Sequence, residues 1–391
     1  MSFVHLHVHS EYSMLDSTTR IVDVCARAKA DGAQAVALTD HNNMFGAVDF
    51  QKAAKKAGVR PIFGAEVNLV PVDRMNADVR RTPTILLLCK DLAGYRNLCF
   101  LLSRAYMDTP SKLPGPRIDR PLLEAHSSGL IALSSSLSGE IPQLLLRGQE
   151  TEARELARHY QGVFGRDGFY LEILRNGIKE QDRVNEALLR LSDELEIPIV
   201  AAADSHYSKK EDAAAHEILM CIQLGKAIPS LETKARITDD LYLASSEEML
   251  ARFADLPEAI ANTIKIAEMC NVTIPLGQTF LPTYPLPEGF DAASYLAHVS
   301  REGLAKRIAK FKARGETPDE QVYSDRLELE IRCIAQMGFP GYFLIVWDFI
   351  DWAKNNGRAL NPTSGRPFGR SSFSSWRGWS WASRELSLIH I

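Results

Sequence analysis

The 391-residue chain has six cysteines (Cys25, Cys89, Cys99, Cys221, Cys270, Cys333), with no CxxC pair and no disulfide-like spacing. That excludes a cysteine zinc ribbon and a disulfide scaffold, and reduced thiols are the expected state. Basic excess is missing too: 45 Lys and Arg face 49 Asp and Glu, a net charge of −4. Any nucleic acid must therefore meet a local patch, or protein outside this sequence. No apolar run reaches the roughly 18 residues that a bilayer-spanning helix needs, and Met1 leads directly into a strand-like segment. Neither a signal peptide nor a membrane partner is expected, and the expected location is cytoplasmic. Apolar residues, at 46%, suffice for a sizeable core, and the length suggests about two domains.

Strand-like and helix-like segments alternate from the start. Phe3–Val8, Ala35–Thr39, Pro61–Phe63, Thr84–Leu88, Leu130–Leu133, Tyr170–Leu174 and Ile197–Ala203 read as strands. Helical stretches such as Thr18–Ala30 and Ala47–Ala57 separate most of them. Near-continuous apolar strands alternating with helices argue for a parallel sheet covered on both faces, and seven units suggest a closed barrel. From about Leu281 a proline-rich link leads to the long helical stretches Ala293–Ala313 and Pro318–Gln336, expected to begin a second domain. After Gly357, Ser, Arg, Gly and Trp dominate without helix or strand period, so residues 358–391 are expected to be a non-native or disordered tail.

The chemistry starts at His5-Leu6-His7-Val8-His9. Alternate residues of a strand share a face, so the three imidazoles are expected on one side, where they suit a borderline metal such as zinc. Further polar groups recur at or just beyond later strand ends: Asp40-His41, Glu66, Ser134–Ser136, and Asp204 with His206. Parallel barrels place their chemistry on that rim.

His5–Asp16, Leu38–Val48 (Leu-Thr-Asp-His-Asn-Asn-Met-Phe-Gly-Ala-Val) and Ala203–Tyr207 (Ala-Asp-Ser-His-Tyr) resemble the PHP (polymerase and histidinol phosphatase) domain. More narrowly, they resemble the PHP domain that opens the bacterial replicative DNA polymerase III alpha family, the C-family polymerases. Gly94–Leu98, Ala215–Leu219, Asn262–Val272 and Gly341–Ile350 fit the same family. The resemblance implies a PHP-type distorted TIM-like (β/α)7 barrel over residues 1–278. It then implies the start of a polymerase palm over 279–357, truncated before the catalytic aspartates. His7, His9, Glu66 and Asp204 would hold one divalent metal, and Asp16, His41 and His206 a second, with Zn, Mn or Fe as candidates and Asp40 as a supporting group. Mg would serve only the missing polymerase site. His5 is expected to be structural, and His126, His159 and His216 surface or packing residues.

Two positions depart from family members with a complete site: Thr84 stands where they carry His, and Ser136 where they carry Cys. A neutral hydroxyl is a poor zinc ligand, so any 3′–5′ exonuclease or phosphoesterase activity is expected to be weak or lost. The implied partners are DNA primer-template, deoxynucleoside triphosphates, a proofreading exonuclease subunit and other replisome subunits. Two alternatives are a free-standing PHP phosphoesterase, against which Gly341–Ile350 speaks, and a non-catalytic docking module for a proofreading subunit.

Overall fold

The computed structural model of the chain describes residues 3–76, 82–113, 115–225, 238–277 and 282–356. Two units emerge, Met1–Pro275 and Leu276–Ile391. In the first, strands β1 (Ala35–Leu38), β2 (Arg60–Val70), β3 (Thr84–Cys89), β5 (Leu130–Leu133), β6 (Phe169–Leu174) and β7 (Ile199–Ala202) pair in that order, and the two-residue β4 (Ile118–Asp119) adds to the far end of β2. Between the edges β1 and β7 lies the N-terminal segment. Ala37 and Thr39 donate their N–H groups to the carbonyls of His5 and Val8, and on the other flank His9 donates to Ser205 and Ser205 to His7. The sheet thus closes into a distorted TIM-like barrel.

The N-terminal segment is nevertheless not the regular strand that its alternation predicts. It bends at His7 and makes one isolated bridge, Val8 to Ser205. The Thr39 hydroxyl accepts the Val8 N–H at 2.9 Å, replacing a ladder bond with a side-chain one. This bend has a chemical consequence. Val4 and Leu6 share the barrel-interior core with Ala35, Ala37, Ile62, Leu86, Ile131, Tyr170 and Val200, whereas Phe3 and Val8 join the layer under the helices. Strict alternation would send His7 outward with His5; the bend turns it, and His9 after it, into the barrel.

The all-parallel sheet expected from the sequence is corrected at one strand. β3 runs antiparallel to both β2 and β5, whereas β1–β2, β5–β6 and β6–β7 are parallel. A parallel partner needs a crossover, usually a helix, and no helix stands between β2 and β3 among the described residues. Reversal brings Thr84, the first residue of β3, to the rim where the parallel strands end.

Helices α1 (Ile21–Ala30), α2 (Ala47–Ala57), α3 (Leu92–Asp108), α6 (Glu150–Phe164) and α7 (Lys179–Leu195) cover the outside, and α4 (Arg120–Ala125) and α5 (Glu140–Leu146) are short connectors. Their apolar stripes (Val24 and Cys25, Phe50 and Ala54, Leu98 and Leu101, Leu156 and Tyr160, Val184 and Leu188) bury against the outward residues of the strands. Asp91 caps α3 by accepting the Gly94 N–H at 2.8 Å. Gly94 is obligatory there, since any Cβ would fall on the Gly129 carbonyl. The second unit contains helices Ala292–Ala313, Glu320–Gln336 and Pro340–Asn355, and a small core of Ala297, Leu304, Ile308, Leu327 and Ile331. The predicted stretches Ala293–Ala313 and Pro318–Gln336 match these helices within two residues. The predicted tail, 358–391, lies outside the described residues. Among the described residues no single helix is long and apolar enough to cross a membrane; one bent pair, Glu320–Gln336 with Pro340–Ala353, passes by length and composition only.

Candidate metal centre

All seven residues singled out as metal ligands meet at the rim. His7 Nε2 and His9 Nε2 lie 3.1 Å apart, and each is 3.3 Å from Asp204 Oδ1. Glu66 Oε2 is 3.8 Å from His9 Nε2 and 2.7 Å from His41 Nδ1. Asp16 Oδ2 contacts His41 Nε2 and lies 3.3 Å from His206 Nε2. His9 stacks between His41 and His206, with ring centroids 4.1 and 4.4 Å away. The triads His7–His9–Glu66 and His9–His41–His206 each bring ligand atoms within 4.8 Å of one another. The two expected groups therefore touch through His9 and Glu66 and form one cluster.

The outer nitrogens explain the inner ones. His7 Nδ1 donates to Glu172 Oε1 at 2.7 Å, and His206 Nδ1 donates to its neighbour's backbone carbonyl, Asp204 O, at 2.9 Å. His9 Nδ1 is 3.2 Å from the Ser13 hydroxyl. Each ring is anchored from behind, and its Nε2 faces the centre. Two imidazole nitrogens facing each other, with a buried Asp204 Oδ1 that accepts no hydrogen bond, form a donor set that fits a divalent cation.

Charge balance points the same way. Burial works against a charged His7, but Asp204 and then Glu172 outweigh it and raise it to about 10. His41 is likewise raised despite burial by Glu66 and Asp16, and His206 by Asp16 and Asp204. Burial would raise Asp16, Glu66 and Asp204, yet His206, His41 and His7 respectively lead in holding them below the usual carboxylate range. His9 is pushed down to about 3 by burial and by His41 and His206. Protons on three imidazoles and a metal ion compete for the same lone pairs.

Three residues besides the seven expected ligands belong to the cluster. Glu172, 1% exposed in the middle of β6, anchors His7; its signal was one carboxylate inside the apolar run Tyr170–Leu174. At the rim it is Ser135, next to the expected Ser136, whose hydroxyl reaches Glu66. The Ser135 hydroxyl donates to Glu66 Oε1 at 2.6 Å and Thr84 donates to the same oxygen at 2.7 Å, whereas Ser136 bonds Ser138 instead. A φ of +65° at Ser135 turns its side chain inward. His216, expected to be a packing residue, donates from Nε2 to the Asp16 carbonyl at 2.8 Å and is buried beside His206. Asp40 touches no proposed ligand side chain directly; it accepts from Ser10 and Ser13. His5 stands apart, donating to Ala244 O at 2.8 Å, and burial pushes it down to about 4. His126 packs on Phe100, and His159 pairs with Glu124 at the surface.

Strain collects here as well. Among the described residues five non-glycines have positive φ, and four are Leu15, Asn42, Ser135 and Asp204, each a cluster member or next to one; the fifth, Glu196, is an ordinary helix C-cap. Such conformations cost of order 1–3 kcal/mol each and gather at functional sites.

Comparison with known proteins fits this geometry. Residues 5–176 match the PHP domain family, and residues 294–373 match the bacterial DNA polymerase III alpha NTPase domain, running past the break expected at 357. DNA polymerase III subunit alpha of Treponema pallidum is 41% identical over 95% of this chain, that of Pseudomonas fluorescens 42% over 93%, and that of Escherichia coli 38% over 93%. Along nearly its whole length the chain is similar to DNA polymerase III alpha subunits. It spans about a third of the length of these curated relatives, 31% in each case. Among solved structures, a Bifidobacterium adolescentis protein titled a metal-dependent phosphoesterase aligns at a TM-score of 0.37 with 16% identity, over 64% of this chain and 96% of that one. The rim cluster lies in and just beyond the PHP match: Asp204 and His206 fall outside residues 5–176 and are brought to it by barrel closure.

Proposed function

We propose that the chain is the N-terminal part of a replicative DNA polymerase III alpha subunit, whose PHP barrel holds one or two divalent cations and retains little phosphoester hydrolysis. The observation that carries the metal reading is the convergence of His7, His9 and His206 Nε2 on Asp204 and Asp16, with each Nδ1 engaged from behind. His7, His9, Glu66 and Asp204 would hold one cation and Asp16, His41 and His206 the other; zinc, manganese and iron all suit this mixed imidazole–carboxylate set. When bound, such cations supply positive charge that polarises a phosphoester and lowers the pKa of water. The chain's own residues orient the rings, keep the carboxylates ionised and exclude bulk water from the inner nitrogens.

The weakness of hydrolysis is read from Glu66. Its Oε1 is engaged by Thr84 and Ser135, with the Ser138 hydroxyl at 3.5 Å. Only Oε2 remains for cations, so a further metal would find hydroxyls in place of ligands. The barrel then serves chiefly as a scaffold, and a proofreading subunit fits that role as partner. Primer-template, deoxynucleoside triphosphates with Mg, and the other replisome subunits would be met through parts of the family protein beyond this sequence. After Asp351 the only acidic side chain is Glu385, too few for the paired carboxylates that hold two metals in nucleotide transfer.

Purified protein should carry one to two equivalents of transition metal, and a His7→Ala, His9→Ala double variant fewer; equal content would remove the metal reading. With manganese, a labelled single-stranded 3′ end should be degraded slowly or not at all, and rapid degradation would overturn the scaffold reading. In a primer-extension gel, the 391-residue chain alone should add no nucleotides; templated elongation would overturn the reading that it lacks the carboxylates of nucleotide transfer.

A further inference from the structure

His9 differs from its neighbours in what stands behind it. The Nδ1 atoms of His7 and His206 face a carboxylate and a carbonyl, which can only accept. His9 Nδ1 faces the Ser13 hydroxyl, which can donate or accept. Its role is settled one bond further out. Asp40 Oδ1 accepts the Ser10 N–H at 2.7 Å and the Ser13 hydroxyl at 2.7 Å, and Oδ2 accepts the Ser10 hydroxyl at 2.8 Å. Ser13 Oγ also receives the His41 backbone N–H at 3.1 Å. A hydroxyl has one hydrogen and two lone pairs. The hydrogen goes to Asp40 and one lone pair to the His41 amide, so His9 Nδ1 can only donate to the other. Ser13 and His9 are buried, as is Asp40, so water does not compete for these bonds.

We propose that Ser13, oriented by Asp40, is a positioning residue that sets the tautomer of His9, placing its hydrogen on Nδ1 and presenting the Nε2 lone pair to the cation. This role rests on the metal-centre reading, and it makes His9 the one imidazole of the cluster whose ligand form depends on a third residue. Loss of such supporting bonds weakens metal affinity about 10–100-fold.

The test uses the full chain with 15N-labelled histidine. Ring nitrogens of the chelator-stripped protein are read by long-range proton–nitrogen correlation, and zinc affinity by competition with a chromophoric chelator. Wild type should show His9 protonated at Nδ1 and not at Nε2. Ser13→Ala should mix or invert the tautomers and raise the zinc Kd about 10-fold or more, and Ser13→Thr, which keeps the hydroxyl, should restore both. A wild-type His9 protonated at Nε2 alone would overturn the proposal even if Ser13→Ala failed to fold. Zinc uptake indifferent to Ser13 would overturn this role alone, and absence of uptake in wild type would overturn the metal centre and this role with it.

Discussion

Glu172 offers a measurement that separates orientation from charge. Its Oε1 accepts the His7 Nδ1–H at 2.7 Å inside β6, and Oε2 has no hydrogen-bond partner. Glu172→Gln keeps an accepting oxygen of the same reach and puts an amide where Oε2 was unpartnered. Glu172→Leu keeps the volume and removes the acceptor. In the leucine variant the His7 N–H is buried without a partner, which costs about 1–3 kcal/mol. The larger penalty of about 3–5 kcal/mol for a stranded buried charge does not apply in full, because Asp204 still faces His7 and the ring can shed its proton. Glutamine should therefore cost under about 1 kcal/mol and leucine about 2 kcal/mol, read by urea unfolding in chelator at pH 8. Metal affinity should fall in the same order. Both variants lose the carboxylate that strengthens His7 as a ligand, so glutamine should bind zinc about 10-fold more weakly, near 1.4 kcal/mol, and leucine, which lacks the acceptor as well, up to about 100-fold. Wild-type affinity in the leucine variant would refute the claim that Glu172 orients His7. Equal destabilisation by both would show that charge, not the accepting oxygen, is what His7 needs.

Other expectations follow from the same geometry. His7, raised to about 10 in the fold against about 6.5 in an unfolded chain, contributes stability that is complete below pH 6.5 and lost as pH rises to 10. Over that interval zinc affinity should rise as the competing proton leaves. Opposite slopes, after subtracting a His7→Gln profile, are the expected result, and a pH-independent zinc Kd would contradict it. Thr84→His with Ser135→Cys should add metal-binding capacity by elemental analysis, whereas Thr84→His with Ser136→Cys should not, because Ser136 faces Ser138. Gly94→Ala should destabilise the barrel by about 3 kcal/mol, since backbone cannot step aside as a side chain would; an unchanged unfolding midpoint would show that α3 sits elsewhere.

The seven proposed ligands were legible because barrel chemistry lies where strands end, and all but Glu66, which sits inside β2, stand at or beyond such an end. Closure was legible too, from seven apolar runs. What sequence could not carry was decided by single backbone choices. All three histidines of the first segment alternate perfectly, yet a bend at His7 separates His5 from the other two. Ser135 and Ser136 are the same residue type, and only the sign of φ selects which hydroxyl reaches Glu66. The reversal of β3 depends on the lack of a helix after β2, a matter of connection rather than of the strand's own apolar pattern.

These misreadings are not scattered at random over the barrel. The helices, which local propensity and apolar period govern, fall close to their predicted bounds. Errors fall at His7, at Ser135 and at the start of β3, all on the rim where Leu15, Asn42 and Asp204 also adopt the left-handed conformation, which leucine disfavours and Asn and Asp tolerate. Local preference yields there because long-range bonds over-determine the backbone: Ser17 ties the carbonyls of His9 and His206, Asn42 receives and makes bonds across β2, and His216 holds Asp16 from another helix. A chain selected for stability alone would relax such positions. Their clustering around seven converging imidazole and carboxylate groups fits a rim shaped for binding, although Thr84 and Ser135 offer it hydroxyls only.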